Sequence, residues 1–366
     1  MASSSDVGDQ IEGLDDVDDI GLGEYPIDTM MIRKETRTVF DVVRRIRKGG
    51  FVLDPDFQRE FVWSIEKQSR LIESVIMRIP LPVFYLAEDE DGRTIVVDGL
   101  QRLSTFRRFL DNELKLDLVH QEYLHKKTFD ELLPKLQNRL EDCSLELYVI
   151  DSHVPERAKL DIFERVNSGE PLTRQQMRNC LYTGKASRWL RDEVSTELFI
   201  QATGKSLNRK TMRDREFANR FCAFFLLGSE EYTKGDMDDF LARSLTKMNK
   251  MNEAELNELS RCFQLSLQNN LDLLAGHAFR KHCQGQAKRS VVNASLWDVM
   301  STGLARYSQE IVRDNKDRFH EAFYELLNED EFVDAITYSV NSTNKVYTRF
   351  KMARQMFKEA FGVYEN

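Results

Sequence analysis

Apolar residues recur along this chain in two periods. From Thr36 to Lys48 they fall at Val39, Phe40, Val42, Val43 and Ile46, the one-sided stripe of a helix, and Gly49-Gly50 ends it. A short extended piece, Phe51 to Leu53, leads to Pro55. Ser64 can cap a second helix that runs to about Arg78. Its buried face is Ile65, Leu71, Ile72, Val75 and Ile76, with Pro80 and Pro82 beyond its end. The period then drops to two. Val83 to Ala87 and Thr94 to Val97 read as short strands joined through Asp91-Gly92, a strong hairpin-turn pair. After Gly99 it returns to 3.6, and Leu103, Phe106, Phe109 and Leu110 form another helical stripe. Thr128-Phe129-Asp130-Glu131 has the form of a capping box that opens a helix. Leu145 to Ile150 alternates as a third strand, with Leu145, Leu147 and Val149 inward. Pro155 suits a helix's first turn, and Thr173-Arg174-Gln175-Gln176 is a second capping box. Beyond about 185 the periodicity is helical throughout. The pattern predicts an α+β domain over 31–185 and an all-helical domain over 186–366.

Composition sharpens this picture. Of 366 residues, 41% are hydrophobic and 10% aromatic, enough for two cores, while Gly (17) and Pro (7) are scarce, which favours helix. The net charge of −9 is a property of one end. Residues 1–30 hold nine acids and no Lys or Arg, so the rest of the chain is neutral. That segment predicts a disordered acidic tail. It reads as a solubilising leader or as an autoinhibitory strip that mimics nucleic acid. The five cysteines (Cys143, Cys180, Cys222, Cys262, Cys283) contain no CxxC pair, which predicts free thiols in a reducing compartment. There is no basic-then-apolar leader and no apolar run near the ~20 residues of a membrane span. The expected location is the cytoplasm, or the nucleus in a eukaryotic host, with no membrane partner.

The stretch that carries chemistry is Thr94-Ile95-Val96-Val97-Asp98-Gly99-Leu100-Gln101-Arg102-Leu103-Ser104-Thr105. An apolar strand runs into an acid, a glycine and a helix. The glycine permits a tight turn and close backbone approach. A helix's first turn offers unpaired amides and a positive dipole end, a ready anion site. Arg102 adds a planar guanidinium suited to phosphate and Gln101 adds neutral donors. With Gly99 and Ser104 they make a candidate nucleotide site. Asp98 suits a divalent cation, ribose hydroxyls or an attacking water, or it simply caps the helix. No GxxxxGK[ST] or GxGxxG occurs. A second cluster, Asp56 to Trp63, sets Gln58 and Arg59 among aromatics. Either Phe57, Phe61 and Trp63 plug a core, or Gln58 and Arg59 converge on the same anion.

Four segments in order resemble the N-terminal domain of GmrSD-type, modification-dependent restriction systems. They are Phe57-Gln58-Arg59 with Trp63; Leu71 to Ser74 with Ile79 to Pro82; Val97 to Thr105; and Ile162 to Leu172. The resemblance covers about residues 30–185. Met212-Arg213-Asp214 and Tyr232 to Leu241 resemble the same family more weakly. It implies a ParB/sulfiredoxin-like fold, with a small mixed sheet and helices. It implies that Asp98 to Arg102 bind and hydrolyse a nucleotide, with Asp98, Gln101 and Arg102 catalytic. Gln58 and Arg59 supply a facing loop and Asn167 to Gly169 a turn, with Asn167 near the cofactor. Leu100 stands where that family usually has Gln. Hydrolysis is weakened if that Gln orients water, and unaffected if the position is packing.

The expected function is a nucleotide-binding, NTP-hydrolysing module of a restriction-like defence system that acts on nucleic acid. Its cofactors would be an NTP of unknown base and Mg²⁺. Its partners would be DNA, a separate nuclease or methyltransferase subunit, or a second copy in a homo-oligomer. The alternatives are a non-enzymatic DNA-binding adaptor with a structural anion pocket, or a ParB-like nuclease. No His-x-x-Pro nuclease segment is found among the six histidines. His277 and His282, five apart, do not share a helix face, so no metal site is expected. Arg44 to Lys48, Arg107-Arg108 and Lys205 to Arg220 are locally basic, either solvated faces or a phosphate-contacting surface.

Overall fold

The structure is a computed structural model that describes residues 11–12, 32–53, 63–88, 92–154, 156–166 and 173–362. The chain divides into two compact units, 22–181 and 182–366, the latter together with 1–21.

The first unit is built on five strands: β2 (Ile32–Thr38), β3 (Phe51–Val52), β4 (Phe84–Glu88), β5 (Thr94–Asp98) and β6 (Ser144–Ile150); β1 (Ile11–Glu12) belongs to the other unit. Their order is β2-β6-β4-β5-β3. The β2–β6 and β4–β5 pairs are antiparallel, while β4–β6 and β3–β5 are parallel, so the sheet is mixed. Leu86, Val96, Leu147 and Val149 lie in one core with helices α1 (Val39–Arg47), α2 (Ile65–Ile76) and α3 (Leu100–Leu110). Ile95 and Val97 alternate to the opposite face and are also buried. Helices α5 (Glu156–Val166) and α6 (Arg174–Leu181) pack on β5. A strand buried on both faces explains why Ile95-Val96-Val97 is apolar without a break.

Two predicted boundaries move. The first helix begins at Val39 rather than Thr36, because Thr36 to Thr38 finish β2, paired with β6 from Ile32↔Ile150 to Thr38↔Ser144. Thr38 is the N-cap, its Oγ1 accepting from the Asp41 amide at 3.2 Å. The Thr128 box forms by half, with the Thr128 amide donating to Glu131 at 2.8 Å, but opens a turn rather than a helix. Helix α4 (Pro134–Glu141) starts six residues later with Pro134 at its first position. A proline inside a helix lacks its donor and collides with the preceding turn, so Pro134 fixes the start. The Thr173 box is reciprocal: Thr173 N–H donates to Gln176 Oε1 at 2.7 Å, and the Gln176 amide donates to Thr173 Oγ1 at 3.2 Å.

The second unit is helical: α7 (Lys185–Val194), α8 (Glu197–Thr203), α9 (Arg213–Leu227), α10 (Met237–Lys250), α11 (Glu253–Leu274), α12 (Ala294–Leu304), α13 (Gln309–Asp314), α14 (Lys316–Leu326), α15 (Asp330–Ala335) and α16 (Thr343–Phe361). Among the described residues β1 pairs in parallel with β7 (Val292–Asn293). Trp297 sits fully buried among Phe199, Phe217, Phe263 and Phe279, its indole N–H donating to the Phe217 carbonyl at 2.7 Å. Beside it Asp298 is clasped by two buried arginines. Arg220 donates to both of its oxygens, at 2.8 and 2.6 Å, and Arg349 donates to Oδ2 at 2.8 Å. No helix among the described residues is long and apolar enough to cross a membrane.

Candidate functional site

β5 ends at Asp98 and α3 begins at Leu100, so the reversal falls on Gly99, at φ +96°. That is left-handed backbone, which side chains resist. A Cβ there would also run into the Phe84 ring and come within 3.2 Å of Arg102 Nη2. Glycine is therefore required twice over, by conformation and by space.

Gly99 is the N-cap and offers no side chain. Asp98, next to it, does not cap the helix. Its Oδ2 accepts from Arg102 Nη2 at 2.7 Å, one turn on. The intrahelical ladder starts with Leu103 N–H to Gly99 O at 2.9 Å. Among the described residues the amides of Leu100, Gln101 and Arg102 have no acceptor. The junction thus keeps an open helix N-terminus beside a carboxylate that is one-third exposed.

Arg102 is the residue whose surroundings differ most from expectation. Its guanidinium is turned inward rather than out toward an incoming phosphate. Nη1 donates to the Pro82 carbonyl at 2.5 Å, Nη2 to the Val83 carbonyl at 3.2 Å and to Asp98, and the group lies 4.2 Å from the centroid of the Phe84 ring. Only 9% of it is exposed. Burial lowers its pKa from the usual arginine range, against the pull of Asp98. Arg102 stitches the entry of β4 to the end of β5 and holds Asp98 in place.

Gln101 points elsewhere. Its Oε1 accepts from the Trp63 amide at 3.1 Å, and Gln68 Nε2 donates to the Trp63 carbonyl at 2.6 Å. Arg108 in turn donates to Gln68 Oε1 at 2.7 Å. Trp63 is therefore clamped by both backbone groups against the first turn of α3 and α2. Residues 54–62 lead into it, so Gln58 and Arg59 lie outside the described residues, as does Asn167. Ser104 is buried within α3.

Sequence reasoning passed over a polar stripe on α6. Gln175, Arg178 and Asn179 are buried on this helix, which packs on β5. Gln175 Nε2 donates to Asn179 Oδ1 at 3.0 Å, and Gln175 Oε1 accepts from Arg178 Nε at 3.1 Å. The available signal was spacing. Polar residues at i, i+3 and i+4 occupy the places where a core-facing helix normally carries apolar ones.

His277 and His282 do come together, their rings stacked 4.7 Å apart, because Ala275 and Phe279 take positive φ and the segment is not a continuous helix. His282 spends its nitrogens on the Arg280 carbonyl at 2.8 Å and the Tyr324 hydroxyl at 3.2 Å. Among the described residues no group of three His, Cys, Asp or Glu is placed to hold a metal ion. The basic stretches are largely matched by acids: Arg44 and Arg45 by Asp41, Arg47 by Asp111, Arg213 by Glu216. Arg220, counted with the basic run by sequence, is buried against Asp298.

Residues 39–183 match the family described as GmrSD restriction endonuclease, N-terminal domain. The match runs from the first residue of α1 to just past α6 and encloses the Asp98 junction, Trp63 and the α6 stripe. No curated protein matches the chain.

Proposed function

We propose, from that similarity, that residues 39–183 form the nucleotide-binding module of a restriction-like defence protein that acts on nucleic acid. The observation that carries this is the open N-terminus of α3, capped by a glycine without a side chain and flanked by the Asp98–Arg102 pair. An anion placed there would accept from the amides of Leu100 and Gln101 and meet the positive end of the helix dipole. The resemblance adds Gln58, Arg59 and Asn167 as further contacts to the same ligand. The mixed sheet and its strand–glycine–helix junction support a ParB/sulfiredoxin-like assignment.

On this reading Arg102 is a positioning residue and Asp98 the group that meets the ligand, through the carboxylate oxygen that Arg102 leaves free. That oxygen can orient a water or a Mg²⁺ ion carried by the nucleotide. Phosphoryl transfer asks the protein mainly for positioning and charge neutralisation. Leu100, an apolar residue in the first turn, contributes only its amide. Cleavage of nucleic acid would fall to a separate nuclease subunit or another module.

Titration calorimetry with ATP, GTP and CTP tests this. Binding of at least one of them is expected, weakened about tenfold or more in Arg59→Ala, the size of one lost charge-assisted contact. Asp98→Asn should lower hydrolysis more than binding. Absence of heat with all three nucleotides would sink the reading.

The adaptor reading has one observation of its own. Tyr347, Lys351, Arg354, Gln355 and Lys358 share a groove on α16 of the helical unit, a basic and aromatic face suited to a phosphate backbone. A salt-dependent gel shift without nucleotide, lost in Lys351→Ala/Lys358→Ala, would favour it.

A further inference from the structure

The first unit holds a second feature that the junction does not explain, a cleft of about 480 Å³ where the end of α2, the helix α4 and the start of β6 meet. A mononucleotide or similar phosphorylated metabolite fits such a volume. Arg78, Lys135 and Arg139 line it against one carboxylate, Asp142, with Asn138 as a neutral donor. Arg139 gives Nη1 to the Ile76 carbonyl at 2.8 Å and keeps its other donors. The side chains of Arg78 and Lys135 make no hydrogen bond or ion pair among the described residues.

Two of these cations stand where local physics disfavours them. α2 ends in a reversal in which Ile79 N–H donates to the Ser74 carbonyl and Arg78 N–H to the Val75 carbonyl, both at 2.9 Å. In this motif the residue in left-handed backbone is usually glycine, yet here it is Arg78, at φ +61°. Lys135 sits in the first turn of α4, directly after Pro134, where the helix dipole repels a cation. Breaches of local preference gather at functional sites. These two, on different elements, converge on the same cleft. Ile79 and Leu81 give it an apolar side, so the occupant is more than a bare ion. The α2 and α4 C-termini add partial negative charge, but two full charges in excess outweigh it.

We propose that this cleft is a second ligand site that takes a small phosphorylated molecule, its phosphates between Arg78, Lys135 and Arg139 and its body along Ile79 and Leu81. The site is separate from the Asp98 junction and does not rest on the function proposed there.

Cys143 lines the same cleft and is half-buried, which pushes its thiol pKa up and slows its alkylation. Its reaction with N-ethylmaleimide, followed by mass spectrometry of the Cys143 peptide in the full chain, reports occupancy of this cleft. ATP is expected to protect Cys143 and adenosine is not. In Arg78→Gly/Lys135→Ala the ATP concentration for half-protection should rise about tenfold or more. Arg78→Gly alone should raise the melting temperature by about 2–4 °C, since glycine accepts the left-handed backbone, so lost protection there is not lost folding. Lack of protection by ATP, equal protection by adenosine, or protection that survives the double variant would each overturn the proposal. None of these outcomes touches calorimetric binding that depends on Arg59.

Discussion

At the scale of single residues, Gly99 and Arg102 are the two on which the junction turns, and they fail differently when changed. Gly99→Ala forces a side chain into left-handed backbone and into the Phe84 ring. Strain and overpacking together should destabilise the first unit by about 2–4 kcal/mol, read as a lower urea midpoint with an unchanged slope. Arg102→Ala would strand the Pro82 and Val83 carbonyls and the Asp98 carboxylate, so its effect on a ligand cannot be parted from its effect on folding. That makes Asp98→Asn and Arg59→Ala the cleaner probes. Arg102 also shows what a motif hides. Residue type and spacing identify it as a cation at a helix N-terminus, but its direction is decided by Phe84 and by two carbonyls twenty residues upstream.

At the scale of elements, α1 illustrates how charge networks fix a boundary. Asp41 faces three arginines: Arg37 from β2, and Arg44 and Arg45 from α1 itself. Partial burial pushes its carboxyl up, but the hydrogen bonds from Arg44, Arg37 and Arg45 together outweigh that and bring it from 3.8 to about 2. A carboxyl depressed in the folded state adds stability that is whole above its unfolded pKa and fades as pH falls through the folded one. Asp41→Asn should therefore flatten the loss of stability between about pH 4 and pH 2, measured by acid titration of circular dichroism. The same neighbourhood marks the limit of pattern reading. β4, β5 and β6 were legible because their apolar residues either alternate or run unbroken. β2 was not, because Ile32-Arg33-Lys34-Glu35-Thr36-Arg37-Thr38 has no apolar face at all. It is an edge strand held by backbone pairing and by cross-strand contacts such as Lys34 to Glu146 at 2.5 Å. The buried polar stripe on α6 escaped for the converse reason, being polar residues at core spacing.

At the scale of the whole molecule, each unit has its own core, and the helical one encloses an ionic centre. Asp298 is fully buried between Arg220 and Arg349. Removing the shared acid leaves two cations facing each other without water. Asp298→Ala should destabilise the helical unit by about 3–5 kcal/mol, whereas apolar replacement of all three should come far closer to neutral. Calorimetric scanning resolves this if the two units melt separately, with the first unit's transition unmoved. Sequence placed these residues in helices but could not pair them, since Arg220 and Asp298 are 78 positions apart.

The clamp on Trp63 has an optical consequence. Of the three tryptophans, Trp189 and Trp297 are buried in the helical core, while Trp63 is partly exposed and hung from the first turn of α3. Whatever engages that turn pulls on the backbone of the one indole whose emission is free to respond. The chain therefore carries its own fluorophore at the junction, and occupancy there can be followed in unlabelled protein.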